Sequence, residues 1–294
     1  MKTVQLGVIF PTKDISNNRE QLMSFAPNAE ALNLDFITTY DHIVGVDQTD
    51  ADHYLATDCE FDETTNIHEA MILFGAMAVL TSRIRLITGC LVAPQRQTAL
   101  IAKQAAEIDI LSGGRLSLGV CIGWNQQEYE ALGSKFKNRV ADLEQQVDDL
   151  RGYWQSAVTI NPSDRQPYQA SIQPKPIQQP IPIWMGGLSL NALKRSAKVA
   201  DGWLPLGYID DAMISKTDLY WESAAALGRH GLGLMGRVNP WRDKPNDCLE
   251  QYQAWTEAGA THVAIGSSKG CFRSTEQYFD ELNQFTELFQ KHKK

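Results

Sequence analysis

Asp41-His42 is the pair in this 294-residue sequence best placed for acid–base chemistry. It closes the apolar run 34–40, and a histidine at the carboxyl end of a buried strand can donate a hydrogen bond to a ring or carry a proton near neutral pH. The structural alternative is an aspartate capping the next loop with the histidine packed beside it. A second candidate is Gly186-Gly187-Leu188-Ser189, which follows an apolar run and opens a helix. Free backbone N–H groups, the helix dipole, a hydroxyl and the room left by glycine make a phosphate site there, although a plain strand–helix turn uses the same residues. A third is the 112–124 segment. Gly113 and Gly114 end a helix, 115–121 forms a short apolar strand, and Gly119 and Gly123 allow backbone to approach something flat and large beside Cys121 and Trp124. Thr88, Gly89, Cys90 and Leu91 end another apolar run shortly before Pro94, and alone read as a strand leaving the sheet.

Other chemistries find little footing. His53, His68, His230, His262 and His292 are scattered, with no i, i+4 pair and no ligand cluster, so no metal site is expected. The acidic residues between Asp47 and Glu63 lack the spaced oxygens and glycine of a calcium loop and read as a solvated face. The sequence contains no G-x-S-x-G, no phosphate-binding P-loop and no G-x-G-x-x-G fingerprint, which argues against hydrolase, kinase and Rossmann-type dehydrogenase readings.

The elements that must position these residues alternate along the chain. Apolar runs at 4–10, 34–40, 84–91, 115–121, 181–185, 202–206, 232–238 and 262–265 predict eight strands. Helices are predicted over 16–32, 67–82, 98–111, 139–154, 189–200, 210–227, 244–258 and 274–291, the first capped by Ser16 or Asn17 with Glu20 completing a capping box. Strict alternation implies a parallel sheet, and eight units imply closure into a (β/α)8 barrel with insertions after strands 2 and 4; an open doubly wound sheet is the alternative. Extra material falls at 45–66, an aperiodic acidic loop, and at 156–180, a proline- and glutamine-rich excursion. Together these are expected to form a movable cover over the substrate pocket. The helix around Met71 to Leu80 is apolar almost all round and must be covered on more than one side, by the core or by a second subunit.

Composition fits one sizeable core and a single domain over 1–294: 43% of residues are hydrophobic and 9% aromatic. A net charge of −8 argues against nucleic acid or an anionic membrane as partner. The five cysteines (Cys59, Cys90, Cys121, Cys248 and Cys271) form no CxxC pair and are expected to be reduced thiols, as in the cytoplasm. The apolar run near the start is too short for a signal peptide, and no stretch approaches the roughly 20 residues that span a bilayer.

Over residues 4–206 the chain resembles the bacterial luciferase-like monooxygenases, (β/α)8 barrels that bind flavin or its deazaflavin analogue. The likeness rests on Tyr40-Asp41-His42, on the segment from Ser82 to Pro94, on the segment from Leu111 to Trp124 with Glu128 and Gly133, and on the segment from Ile183 to Trp203. It is nearest the subgroup often labelled deazaflavin-dependent. The resemblance implies an isoalloxazine ring in the barrel mouth, with Asp41 and His42 beside it, Thr88, Gly89, Cys90 and Leu91 under it, and Cys121, Gly123 and Trp124 along its edge. Gly186, Gly187, Leu188 and Ser189 would hold the phosphate. It also implies a bulge with a cis peptide bond after the third strand, expected at Cys90–Leu91, and a homodimer through the helices after strands 2 and 3.

The function so implied is an oxidoreductase of the monooxygenase type, using reduced FMN from a separate NAD(P)H-flavin reductase together with oxygen on a small organic substrate, with His42 and Asp41 as catalytic residues. Hydride transfer with the deazaflavin coenzyme F-420 is the alternative within enzymes, and a flavin-binding barrel without turnover is the alternative outside them. Cys121, where relatives commonly have glycine, narrows the approach to the ring edge. Ile43 stands where many flavin-using relatives carry a second histidine.

Overall fold

The computed structural model describes residues 3–12, 14–15, 17–45, 61–164, 166–240, 245–266 and 275–292. Ser16, His53, Cys59, Cys271 and most of the acidic 47–63 loop lie outside these described residues.

All eight predicted strands form, all but the last shorter than their apolar runs: β1 (Gln5–Ile9), β2 (Phe36–Thr39), β3 (Arg85–Thr88), β4 (Leu116–Cys121), β5 (Ile183–Gly186), β6 (Gly202–Leu204), β7 (Gly233–Val238) and β8 (His262–Ile265). Every neighbouring pair is parallel, β1 pairs with β8, and β3 pairs with β4, so the sheet closes on itself. The open-sheet alternative is thereby set aside. The helices are α1 (Arg19–Ala31), α2 (Ala70–Leu80), α3 (Thr98–Ser112), the short α4 (Gln126–Ala131), α5 (Arg139–Gln155), α6 (Leu190–Val199), α7 (Asp211–Ala226), α8 (Pro245–Glu257) and α9 (Thr275–Gln290). The first helix starts later than expected. Asn18 is its cap, the side-chain oxygen accepting from the N–H groups of Glu20 and Gln21 at 3.0 and 3.2 Å.

Two cores follow from the alternation of side chains along each strand. The outer one lies between barrel and helices. The inner one fills the barrel with Ile9, Phe36, Ile87, Cys90, Trp184, Leu204, Met235 and Ala264. Trp184 fits only because β6 and β7 pass it with glycines, since a Cβ at Gly202 or Gly233 would lie 2.4 or 2.1 Å from its ring. His262 meets the rings of Trp184 and Phe36 edge-on, at centroid distances of 4.8 and 5.3 Å. That layer fills the amino-terminal end of the barrel, and a pocket opens at the carboxyl end.

The expected bulge after β3 is present, with a correction to its bond. Ile87 pairs with Ser117 and Leu91 with Val120, so four steps of one strand face three of the other. The cis peptide is Gly89–Cys90, not Cys90–Leu91. Leu91 has already rejoined the ladder beside Val120, so the irregular bond falls one residue earlier.

Candidate active site at the carboxyl end of the barrel

The mouth pocket is lined by Ile9, Thr38, Tyr40 and Gly89 on one side and by residues 204–206, 235–237 and Ala264 on the other. These residues end six different strands, the place where barrels of this architecture build their sites. The hydroxyl of Thr38 faces this region buried and without a hydrogen-bond partner among the described residues. An orphaned buried hydroxyl is uncommon in a folded protein and marks a place where a ligand group or water completes the bonding.

His42 lies at the lip. Its Nδ1 is 3.2 Å from Glu128 Oε2, and its ring lies 5.1 Å from Phe61 and 5.7 Å from Trp124. Glu128 is presented by α4, whose cap Asn125 accepts from the Glu128 N–H at 3.1 Å. The carboxylate also accepts from the backbone N–H groups of Ile43 and Val44. Burial pushes the Glu128 carboxyl upward, but the bonds from His42, Ile43 and Val44 outweigh it and hold the group below its ordinary range. An ionised Glu128 can only accept, so Nδ1–H of His42 donates to it and Nε2 is the ring nitrogen left for a ligand. Nε2 has no protein partner among the described residues.

Asp41 has a different task. Its carboxylate is buried, accepts from the Val92 N–H at 2.9 Å, and pairs with Arg96. Arg96 in turn reaches Glu69 at 2.8 Å, and Glu69 caps α2 through the Ile72 N–H. Burial raises the Asp41 carboxyl, with Arg96 opposing. The chain from Asp41 through Arg96 to Glu69 ties the turn after β2 to the segment after β3 and to the start of α2.

The remaining predicted residues spread over the same face. Gly89 lines the pocket. Thr88 donates to the Gly119 carbonyl at 2.7 Å, and Leu91 packs into the outer core. Cys90 and Cys121 are free thiols at the upper edge of the inner core, and the hydrogen bond with Cys121, followed by burial, drives the Cys90 thiol well up. Gly123 has φ 62° and lies against Val92, with Trp124 beside it over His42. A Cβ on Gly186 would lie 2.3 Å from Cys90 Sγ, so only glycine lets β5 pass the bulge. Ser189 caps α6 by accepting from the Ala192 N–H at 3.2 Å, and the other first-turn N–H groups have no acceptor within the helix. Leu188 is exposed, and the Gly187 carbonyl accepts from the Trp203 indole at 2.9 Å.

Sequence reasoning passed over Thr38, Arg96, Glu69 and Arg237, and named Glu128 without its partner. A charged residue at the carboxyl end of a barrel strand is the signal that would have found Arg237. A second expectation is overturned. The 156–180 excursion, which carries a hairpin of Val158–Ile160 and Tyr168–Ala170, does not cover the mouth. It enters from α5 and leaves into β5, and Asp109 at the end of α3 holds Gln178 by its N–H and side-chain amide at 2.8 and 2.6 Å. Gln178 also donates to the Leu116 carbonyl at 2.7 Å, and Ile177 rests near Gly114. The excursion therefore lies at the amino ends of the strands. Of the acidic loop, Phe61 does reach the mouth, against Tyr40 and His42.

Eight parallel strands closed into a barrel, with the open space and the uncommitted polar groups gathered at their carboxyl ends, define a (β/α)8 barrel with a ligand site at the usual face. Comparison with known sequences narrows that class. The description "Luciferase-like monooxygenase" matches residues 8–287, and the chain belongs to that family.

An uncharacterised protein of Mycobacterium tuberculosis is 31% identical over 217 residues, 72% of this chain and 73% of that protein. The FMNH2-dependent dimethylsulfone monooxygenase of Pseudomonas putida is 30% identical over 168 residues, 55% of this chain and 46% of that enzyme. Among solved structures, the coenzyme F420-dependent tetrahydromethanopterin reductase of Methanopyrus kandleri superposes with a TM-score of 0.73 at 16% identity, covering 96% of this chain and 97% of that one. Among the described residues no helix is long and apolar enough to cross a membrane, and no cluster of three or more metal-ligating side chains occurs.

Proposed function

We propose that this protein is a flavin-dependent monooxygenase that uses reduced FMN and dioxygen on a small organic substrate. The observation that carries the proposal is the His42–Glu128 pair, poised beside a mouth whose buried Thr38 hydroxyl lacks a partner. The residues present suit such a cofactor. Gly89 and Gly186 keep the mouth clear where a Cβ would collide with Thr38 or Cys90, and the Ser189-capped start of α6 offers N–H donors for a phosphate. Bound reduced flavin supplies the electrons for dioxygen activation and the oxygen transfer.

The chain's own side chains do the rest. His42, oriented through Nδ1 by ionised Glu128, takes or returns a proton at Nε2. Phe61 and Trp124 flank the imidazole and restrict water at the lip. The Asp41–Arg96 pair holds His42 in place through the backbone of the turn after β2. A separate NAD(P)H-flavin reductase supplies reduced cofactor, and two copies associate through α2 and α3. On those helices Ile72 and Val79 are 74% and 61% exposed, and Leu100 and Leu111 are exposed as well.

The likeness to an FMNH2-dependent enzyme at 30% identity favours FMN over the deazaflavin. Fluorescence titration of the purified protein with FMN and with coenzyme F420 tests this directly: FMN is expected to bind more tightly, and preference for F420 would convert the proposal into hydride transfer without oxygen. His42→Ala is expected to lower turnover by about 10²–10⁴-fold while FMN affinity stays within a few-fold. Unchanged turnover would remove His42 from the mechanism.

A further inference from the structure

We infer that Arg237 is the anion anchor of the substrate pocket, and that the substrate is a small molecule with an apolar body ending in a carboxylate or sulfonate. The inference deepens the monooxygenase reading and rests on it for the place where substrate binds.

Arg237 stands near the carboxyl end of β7, paired in register with Ala264 of β8. Its neighbour Gly236 faces outward, where a Cβ would lie 2.3 Å from the Trp255 ring, and the Trp255 indole donates to the Arg237 carbonyl at 3.0 Å. Alternation then turns the Arg237 side chain inward, into the pocket it lines. The guanidinium lies 5.7 Å from the ring centroids of both Tyr40 and Tyr208, and one Nη donates to the Tyr40 hydroxyl. A guanidinium has five N–H donors, so most of them are uncommitted.

No carboxylate among the described residues pairs with Arg237, whereas Arg96, Arg151, Arg195 and Arg229 each have at least one; Arg115, which also has none, spends its guanidinium on protein oxygens instead. Among the described residues, the two buried carboxylates at the mouth are engaged elsewhere, Asp41 by Arg96 and Glu128 by His42. Partly withdrawing a cation from water without a counter-charge is costly, and here the half-buried cation faces a cavity whose other walls include the apolar Ile9, Leu204, Met235 and Ala264 beside the hydroxyls of Thr38 and Tyr40. An arginine in that setting recognises a bidentate oxyanion, and the apolar walls accept the carbon body behind it. In a protein of net charge −8, a cation with no carboxylate partner among the described residues is a local point of attraction for an anion.

The same negative charge could come from the substrate or from the ring of reduced flavin, and binding measurements separate the two. The probes are hexane-1-sulfonate, hexanoate and hexan-1-ol, titrated calorimetrically into the full-length protein with and without saturating FMN. FMN itself is titrated both oxidised and photoreduced under anaerobic conditions. The wild type is expected to bind the two anions at least about tenfold more tightly than the alcohol, from the strength of charge-assisted hydrogen bonds. Arg237→Gln abolishes that preference, Arg237→Lys retains part of it, and neither variant changes FMN affinity in either redox state by more than twofold.

Equal binding of hexan-1-ol and hexane-1-sulfonate by the wild type overturns the inference. So does an Arg237→Gln variant that weakens reduced FMN while sparing the sulfonate, since the cation then belongs to the cofactor. If the variants do not fold, protection of Arg237 from phenylglyoxal in the wild type, read by peptide mass spectrometry, decides: protection by the sulfonate but not the alcohol upholds the inference, and no protection overturns it. Failure of the wild type to bind FMN would instead refute the monooxygenase reading, while the flavin-free titrations still test the anion site.

Discussion

At the scale of single residues, the polar groups at the mouth divide into those that hold structure and those left free for a ligand. Asp41 and Glu128 are both buried carboxylates at the same face, yet their surroundings push them in opposite directions. Burial dominates for Asp41, whereas three donors dominate for Glu128. His262, at the closed end of the barrel, shows how strongly the inner core acts on a titratable group. Burial among Trp184 and Phe36, aided by nearby Arg85, lowers its pKa from 6.5 to about 4. The native state therefore keeps this ring neutral, while the unfolded chain protonates as the pH drops below 6.5. Stability associated with His262 is complete above pH 6.5 and is lost as the pH falls toward 4, by about 3 kcal/mol in all. Urea unfolding of wild type and His262→Gln across that window should show a smaller acid-side loss in the variant; parallel curves would refute the assignment.

At the scale of elements, the packing of α2 against α3 depends on one side chain that pattern reading takes for the first residue of a strand. Arg115 follows Gly113 and Gly114, and its guanidinium makes five hydrogen bonds: to the carbonyls of Ser112, Ala78, Thr81 and Ile84 and to the Thr81 hydroxyl, at 2.6 to 2.9 Å. These are the unpaired carbonyls where α2 and α3 end and the chain enters β3. Arg115→Met should lower unfolding stability by about 3–5 kcal/mol, because several buried acceptors lose their donor together. Arg115→Lys should recover less than half, since a single ammonium cannot span the same set. Chemical denaturation with an unchanged denaturant slope is the check, and a loss below about 1 kcal/mol for the Met variant would show that water replaces the clamp.

At the scale of the whole molecule, the apolar surface of α2 is the basis for the proposed pairing of two copies. The helix buries Met71, Phe74, Met77 and Ala78 against its own barrel and leaves Ile72 and Val79, seven residues apart on one face, in solvent. With Leu100 and Leu111 on the adjoining α3, this makes an apolar band that a second copy can cover by the same band under two-fold symmetry. Light scattering should give twice the chain mass for the wild type, and Ile72→Glu should shift the protein to a monomer with its far-ultraviolet circular dichroism unchanged. A wild type that stays monomeric at tens of micromolar would remove the dimer from the account.

The sequence by itself determined the alternation of eight strands with helices, the glycine turns that flank β4 and β5, and the position of His42 and Ser189 at strand ends. Each depends on neighbours within a few residues, through apolar periodicity, glycine's freedom and helix capping, so each is written locally. The closed barrel was needed to show that His42 meets Glu128 from 86 positions away, that Asp41 is spoken for by Arg96, and that Arg237 lines the pocket with no carboxylate partner among the described residues. The same holds for the cis bond at Gly89–Cys90 and for the placement of the 156–180 excursion at the closed end. Those relations are set when the sheet closes and its register fixes which strand ends share a face. No local pattern carries that information, because the partners are joined by the circumference of the barrel and not by the chain between them.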